Sequence, residues 1–167
     1  MKTGLEWWNE VKNDNLKMNS WLQKQCYGEY QAYLRIGKLA TKYNNSILRI
    51  VADQELKHYE WIKDYLVKNN IEPITEHEER YWKEVNMNFD TLEEASAIGA
   101  HAEEMRLERI RIIAKDTEFT ELASIFNKIQ TDEEFHVKAF TKLTTEEKLA
   151  VAKIGHEQGM LELGLII

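Results

Sequence analysis

The stretch Ala52-Asp53-Gln54-Glu55-Leu56-Lys57-His58 decides how this chain is read. Around it Leu48, Val51, Ala52, Tyr59, Ile62 and Leu66 recur at three- and four-residue intervals, the signature of one face of an α-helix. Glu55 and His58 fall on that same apolar face, one turn apart, so a carboxylate and an imidazole point into the same interior. An ionised carboxylate in an apolar bundle costs several kcal/mol unless a cation meets it. A second copy of the pattern, Asp132-Glu133-Glu134-Phe135-His136, lies near the other end of the chain.

Working outward, the spacing predicts a helix over 19–40 with the stripe Leu22, Cys26, Tyr33, Ile36 and Ala40, and Glu29 inside that stripe. Tyr43-Asn44-Asn45-Ser46 reads as a turn with Ser46 as the N-cap of a helix over 47–67. Asn69-Asn70 and Pro73 end that helix. Residues 69–90 hold a short charged helix, expected over 76–85. A segment of ~20 residues reaches well past the ~30 Å of a 20-residue helix, so it reads as a crossover along a bundle. Asp90-Thr91-Leu92-Glu93-Glu94 carries a capping-box signal for a third helix ending near 115. Asp116-Thr117 turns the chain into a fourth helix over 118–143, and Thr144-Thr145-Glu146-Glu147 opens a last helix toward 161.

Long pair, crossover, long pair is the plan of an all-α, four-helix bundle with one long connection. The expected organisation is a single domain over 1–167, with its bundle core over 19–143. A short N-terminal amphipathic turn carries Trp7, Trp8 and Val11, and a C-terminal helix follows over 145–161. The apolar tail Leu161-Glu162-Leu163-Gly164-Leu165-Ile166-Ile167 is expected to pack on the bundle or on a second copy in a homodimer.

Composition agrees and excludes several classes. Only 7 Gly and 1 Pro interrupt 167 residues, few for a β-rich or loop-rich fold. A single cysteine, Cys26, excludes an internal disulfide and a four-cysteine iron site. The net charge of −7 speaks against nucleic-acid binding, which draws its affinity from Lys and Arg. No run approaches the ~18 apolar residues of a membrane helix. The opening residues 1–6 lack the apolar core of a signal peptide, so a cytoplasmic location without membrane attachment is expected.

The chain also repeats a pattern within itself. A lone Glu29 on one helix precedes Glu55-x-x-His58 on the next, and a lone Glu103 precedes Glu133-x-x-His136. The two halves look like pseudo-twofold copies. Four glutamates carry four negative charges, which two divalent ions neutralise, and the histidines favour iron or manganese over all-oxygen calcium sites. On the third helix the choice lies between Glu103 and Glu104. Leu92, Ser96, Gly99, Leu107, Ile110 and Ala114 lie within about 40° of Glu103 at ~100° per residue. Glu104 shares its face with Glu93, His101, Glu108, Arg111 and Lys115. Glu103 is therefore taken as inward; a helix turned the other way would offer His101 with Glu104.

Ala52-Asp53-Gln54-Glu55-x-x-His58 resembles the second-helix motif of the rubrerythrin branch of the ferritin-like superfamily. Glu29-Tyr30-Gln31-Ala32 is similar to that family's first-helix motif, and residues 113–136 to its second half. The resemblance covers roughly 22–143. It implies a carboxylate-bridged pair of iron ions, with manganese the alternative, held by Glu29, Glu55, His58, Glu103, Glu133 and His136. Glu55 and Glu133 are the bridging candidates it points to. It implies a di-iron oxidoreductase, an oxidase, oxygenase or peroxidase acting on O2 or peroxide with an electron donor or small substrate the motifs do not name. A ferroxidase that stores or detoxifies iron is the alternative of another class; storage needs a shell of many subunits. A bundle without metal, acting by interaction alone, is a third.

Four further expectations concern neighbours. Asp132 is read as an acceptor that orients a histidine, and Asp53 as a solvated surface charge. Cys26 reads as a small buried hydrophobe. Tyr33, Tyr59 and the tryptophans read as packing residues.

Overall fold

Three of the four long helices start where a short polar side chain takes up their free amides. The computed structural model describes residues 2–85 and 89–165, with only the backbone of Glu84. Among these residues there are seven helices and no strand beyond one isolated bridge, Lys2 to Leu165. α1 (Gly4–Lys12) opens on a Thr3–Glu6 capping box. α2 (Asn15–Lys42) opens on Asp14, whose carboxylate accepts from the Leu16 and Lys17 amides at 3.0 and 3.1 Å. It therefore begins four residues before the expected 19, because Asn13 ends α1 and Asp14, directly after it, caps α2.

α3 (Ser46–Lys68) is capped by Asn45 and not by Ser46. Asn44 reverses the chain at φ 47°, which leaves Asn45 extended with its Oδ1 accepting from Leu48 N at 2.9 Å. The crossover helix α4 is only Arg80–Glu84, shorter than expected. The residues ahead of it are drawn into tertiary contacts instead: Arg35 pairs with Glu79 at 2.8 Å, and His77 meets the Tyr27 ring. α5 (Leu92–Ala114) carries the Thr91–Glu94 capping box. α6 (Thr120–Lys142) starts two residues late, because Asp116 Oδ1 claims the amides of Glu118 and Phe119 at 2.8 and 2.9 Å. α7 (Glu146–Glu162) is capped by Thr145.

Replacing Thr91 by Ala removes the bond its hydroxyl accepts from the Glu94 amide and should cost about 1 kcal/mol. In a chain of this size that lowers the melting temperature by about 2–4 °C. Thermal unfolding followed by circular dichroism measures it.

α2 packs along α3, α5 packs along α6, and α3 joins the two pairs through α6. No comparable contact joins α2 to α5, so a seam remains between them. α1 closes one end, and α7 lies on α5 and α4. Apart from a smaller cluster of Tyr81, Val85, Ile98 and Ala102, two apolar layers form the core. One holds Trp8, Leu22, Ile62, Ile113 and Phe126; the other holds Ala32, Ile36, Val51, Ala100 and Phe140. Between them each of α2, α3, α5 and α6 places one glutamate: Glu29, Glu55, Glu103 and Glu133. The inward position expected for Tyr33 belongs to Ala32; Tyr33 and Tyr59 are half-buried and pack with Tyr30 on the outside of α2 and α3. Cys26 is buried in the first layer, and burial, reinforced by Glu29, pushes its thiol up to about 12, so it is an inert apolar side chain. In the tail Leu165 is buried; Ile166 and Ile167 lie outside the described residues. No helix among the described residues is long and apolar enough to cross a membrane.

Candidate metal centre

The polar layer has a definite geometry. Glu29, Glu55, His58 and Glu133 form one group, and Glu55, Glu103, Glu133 and His136 form a second. Within each group the donor atoms lie within 4.8 Å of one another, and all six residues are buried. Glu55 and Glu133 belong to both. His58 Nδ1 stands 3.6 Å from Glu29 Oε2, 3.4 Å from Glu55 Oε2 and 3.6 Å from Glu133 Oε1. His136 Nδ1 stands 3.5 Å from Glu55 Oε1 and 3.6 Å from Glu133 Oε2.

These separations are long for hydrogen bonds. They are close to the ~3.4 Å between donors placed tetrahedrally at ~2.1 Å from one ion. Both Nδ1 atoms, Glu55 Oε2 and both Glu133 oxygens are buried without a hydrogen-bond partner. A buried polar atom left unpaired costs about 1–3 kcal/mol, and here five converge on one space. The donor set fits a pair of divalent ions.

The far side of each imidazole is held. His58 Nε2 donates to Asp132 Oδ2 at 3.1 Å, and His136 Nε2 donates to Gln54 Oε1 at 3.1 Å. Gln54 Nε2 in turn donates to Asp132 Oδ1 at 2.9 Å, which ties the two orienting residues together. With Nε2 as the donor, the Nδ1 lone pair of a neutral ring faces the centre. Asp53 is exposed. Gln54 was missed in the sequence, although a signal existed: it precedes Glu55 as Asp132 precedes Glu133, so the internal repeat itself singles it out.

Arg106 was also missed. Its Nη2 lies 2.6 Å from Glu29 Oε2 and 3.5 Å from Glu133 Oε1; its Nη1 lies 3.4 Å from Glu55 Oε1 and 3.5 Å from Glu103 Oε2. One terminal nitrogen thus faces each donor group, and the guanidinium stands in for a cation at both. Burial pushes the Glu133 carboxyl up, but Arg106 and His136 outweigh it and hold it down at about 2. Glu55 is likewise held well below the carboxylate range. Burial keeps Glu29 above that range, and burial with Glu133 keeps Glu103 well above it. Burial opposes a charge on His136, yet Glu133 and Glu55 push it up to about 10. Metal binding would therefore release protons from the cage.

Glu104 is exposed. His101 lies outside both groups: its Nε2 donates to the Leu149 carbonyl at 2.9 Å, and its ring stacks on His156 with centroids 5.0 Å apart. His156 Nδ1 lies 2.9 Å from the Tyr81 hydroxyl, joining α4 to α7. Burial, with the charge of His101, lowers His156 from 6.5 to about 4. The folded chain therefore holds fewer protons on this ring than the unfolded chain does. The stability it contributes is complete above about pH 6.5 and is lost as the pH falls toward 4. A His156→Gln variant should show a smaller loss of melting temperature across that window than the parent, measured by thermal unfolding at stepped pH.

Residues 20–150 match the protein-family model described as Rubrerythrin. No curated protein and no solved structure matches the chain.

Proposed function

The chain belongs to the rubrerythrin family, and from that premise we propose that it is a non-haem di-iron oxidoreductase acting on O2 or peroxide in the bundle core. The observation that carries the reading is the sharing of Glu55 and Glu133 between two adjoining donor groups. In this reading Glu29, Glu55, His58, Glu103, Glu133 and His136 would hold the metal, with Glu55 and Glu133 common to both donor groups. Iron is the expected metal, with manganese the alternative. When bound, the ion pair supplies the electrons that reduce the oxidant.

The chain's own residues set the conditions. Asp132 and Gln54 hold both imidazoles with Nδ1 inward. The apolar layers above and below keep bulk water from the carboxylates, which strengthens every charge interaction between them. Arg106, partly exposed on the seam, provides N–H donors on the side from which a small oxidant enters.

The test is stopped-flow oxidation. Protein loaded with Fe2+ under anaerobic conditions is mixed with O2 or with hydrogen peroxide, and remaining Fe2+ is read with a chelator. Oxidation of the bound iron faster than free Fe2+ at the same pH is expected with at least one oxidant. Rates equal to free Fe2+ with both would overturn the reading.

A further inference from the structure

Two cavities open on the seam between α2 and α5, and they differ in character. The first, of about 340 Å³, has a mixed lining that carries many charged side chains, Arg106 among them. The second, of about 280 Å³, is mostly apolar and ends at Glu103. Arg35 and Trp82 line both and form the partition. The Arg35 guanidinium lies 4.3 Å from the Trp82 ring centroid and is fixed by Glu79.

The walls of the second cavity are Ile36 and Leu39 from α2, Ala95, Ile98 and Gly99 from α5, and Phe140 from α6. Gly99 is required at its place: a Cβ there would stand 2.8 Å from Phe140 Cδ1, so any side chain would displace the ring that forms the wall. Apart from Arg35, which is paired with Glu79, the cationic residues of the lining are two lysines at the other end. Lys38 and Lys42 are exposed, one turn apart on α2, and line the same cavity. Neither forms an ion pair among the described residues; Lys42 only overlies the Tyr43 ring at 5.0 Å. Among the described residues the one carboxylate in the lining is Glu103, at the buried end.

We propose that this cavity is the substrate site and that it takes a small amphiphilic carboxylate, with its anionic head at Lys38 and Lys42 and its apolar end against Glu103. The inference rests on the di-iron reading for what happens at Glu103, but not for binding itself. The charge order sets the orientation. A carboxylate head is attracted by the lysines at the mouth and would lose its water among the apolar walls inside, whereas the apolar end loses nothing by entering between Ile36, Ile98 and Phe140. An amine head meets two lysines at the mouth, and a neutral head gains nothing from them.

Octanoate is the probe, with 1-octanol, octylamine and acetate as comparators. Binding is measured by isothermal titration calorimetry on metal-free and on Mn2+-loaded protein, with metal content determined on the same samples. Octanoate should bind more tightly than all three comparators. Reversal of both exposed lysines, Lys38→Glu with Lys42→Glu, should weaken octanoate by about tenfold and leave 1-octanol and metal content unchanged. Ala95→Leu, which fills the cavity, should weaken both octanoate and 1-octanol. Octanoate binding no better than acetate, or binding untouched by the lysine reversals, overturns the proposal. Either result in protein that holds its metal sinks this inference alone. Octanoate binding as described, in protein that takes up no metal, sinks the di-iron reading and leaves this site standing.

Discussion

An Arg106→Met variant is expected to lose about 3–5 kcal/mol of stability in the metal-free state. The guanidinium is the cation that meets Glu29, Glu55, Glu103 and Glu133 together. Methionine keeps an unbranched apolar stem but no charge, so Glu55 and Glu133 would lose the cation that holds them ionised, with only the two imidazoles to offset them. The chain must then protonate glutamates or open the bundle, and both cost stability. At about 2–4 °C per kcal/mol, the metal-free melting temperature should fall by roughly ten degrees. Mn2+ should restore most of the loss, because ions bound only by the folded state stabilise it by mass action. The variant should also gain more from Mn2+ than the parent does, since in the parent the ions must first displace the guanidinium. Calorimetric melting of chelator-treated and Mn2+-loaded samples gives both quantities. A metal-free variant that melts with the parent would show that Arg106 does not neutralise the cage.

The second large effect separates shared from unshared glutamates. Glu55 belongs to both donor groups and Glu29 to only one. Glutamine nearly matches glutamate in shape but carries no charge, so Glu55→Gln and Glu29→Gln alter the charge while leaving the volume alone. Glu55→Gln should lose both ions from each chain after desalting, whereas Glu29→Gln should lose one and keep the other at Glu103 and His136. Metal analysis of the two variants side by side decides it. Equal losses would mean that the positions do not share Glu55.

The legible part of this site lay in its period. Glu29, Glu55, His58, Glu103, Glu133 and His136 stand at positions where apolar residues recur at helical spacing, so burial followed from local pattern before any tertiary contact was known. The exposure of Glu104 followed from the same wheel. Arg106 escaped because it stands roughly 60° from Glu103, outside the apolar arc. A long arginine stem reaches around a helix in a way that a wheel of points does not represent. The shortness of α4 was illegible for another reason. Glu79 and His77 meet Arg35 and Tyr27 across the seam, and those contacts exist only once α2 and the crossover have docked. The cap of α3 turned on one residue, since Asn44 taking a positive φ made Asn45 the first free acceptor.

We propose that one chain holds two metal ions between its apolar layers. Elemental analysis tests this most directly, on protein purified without added metal, then loaded anaerobically with Fe2+ or Mn2+ and desalted. Two ions per chain is the predicted result. One ion per chain or fewer, with both metals, would contradict it.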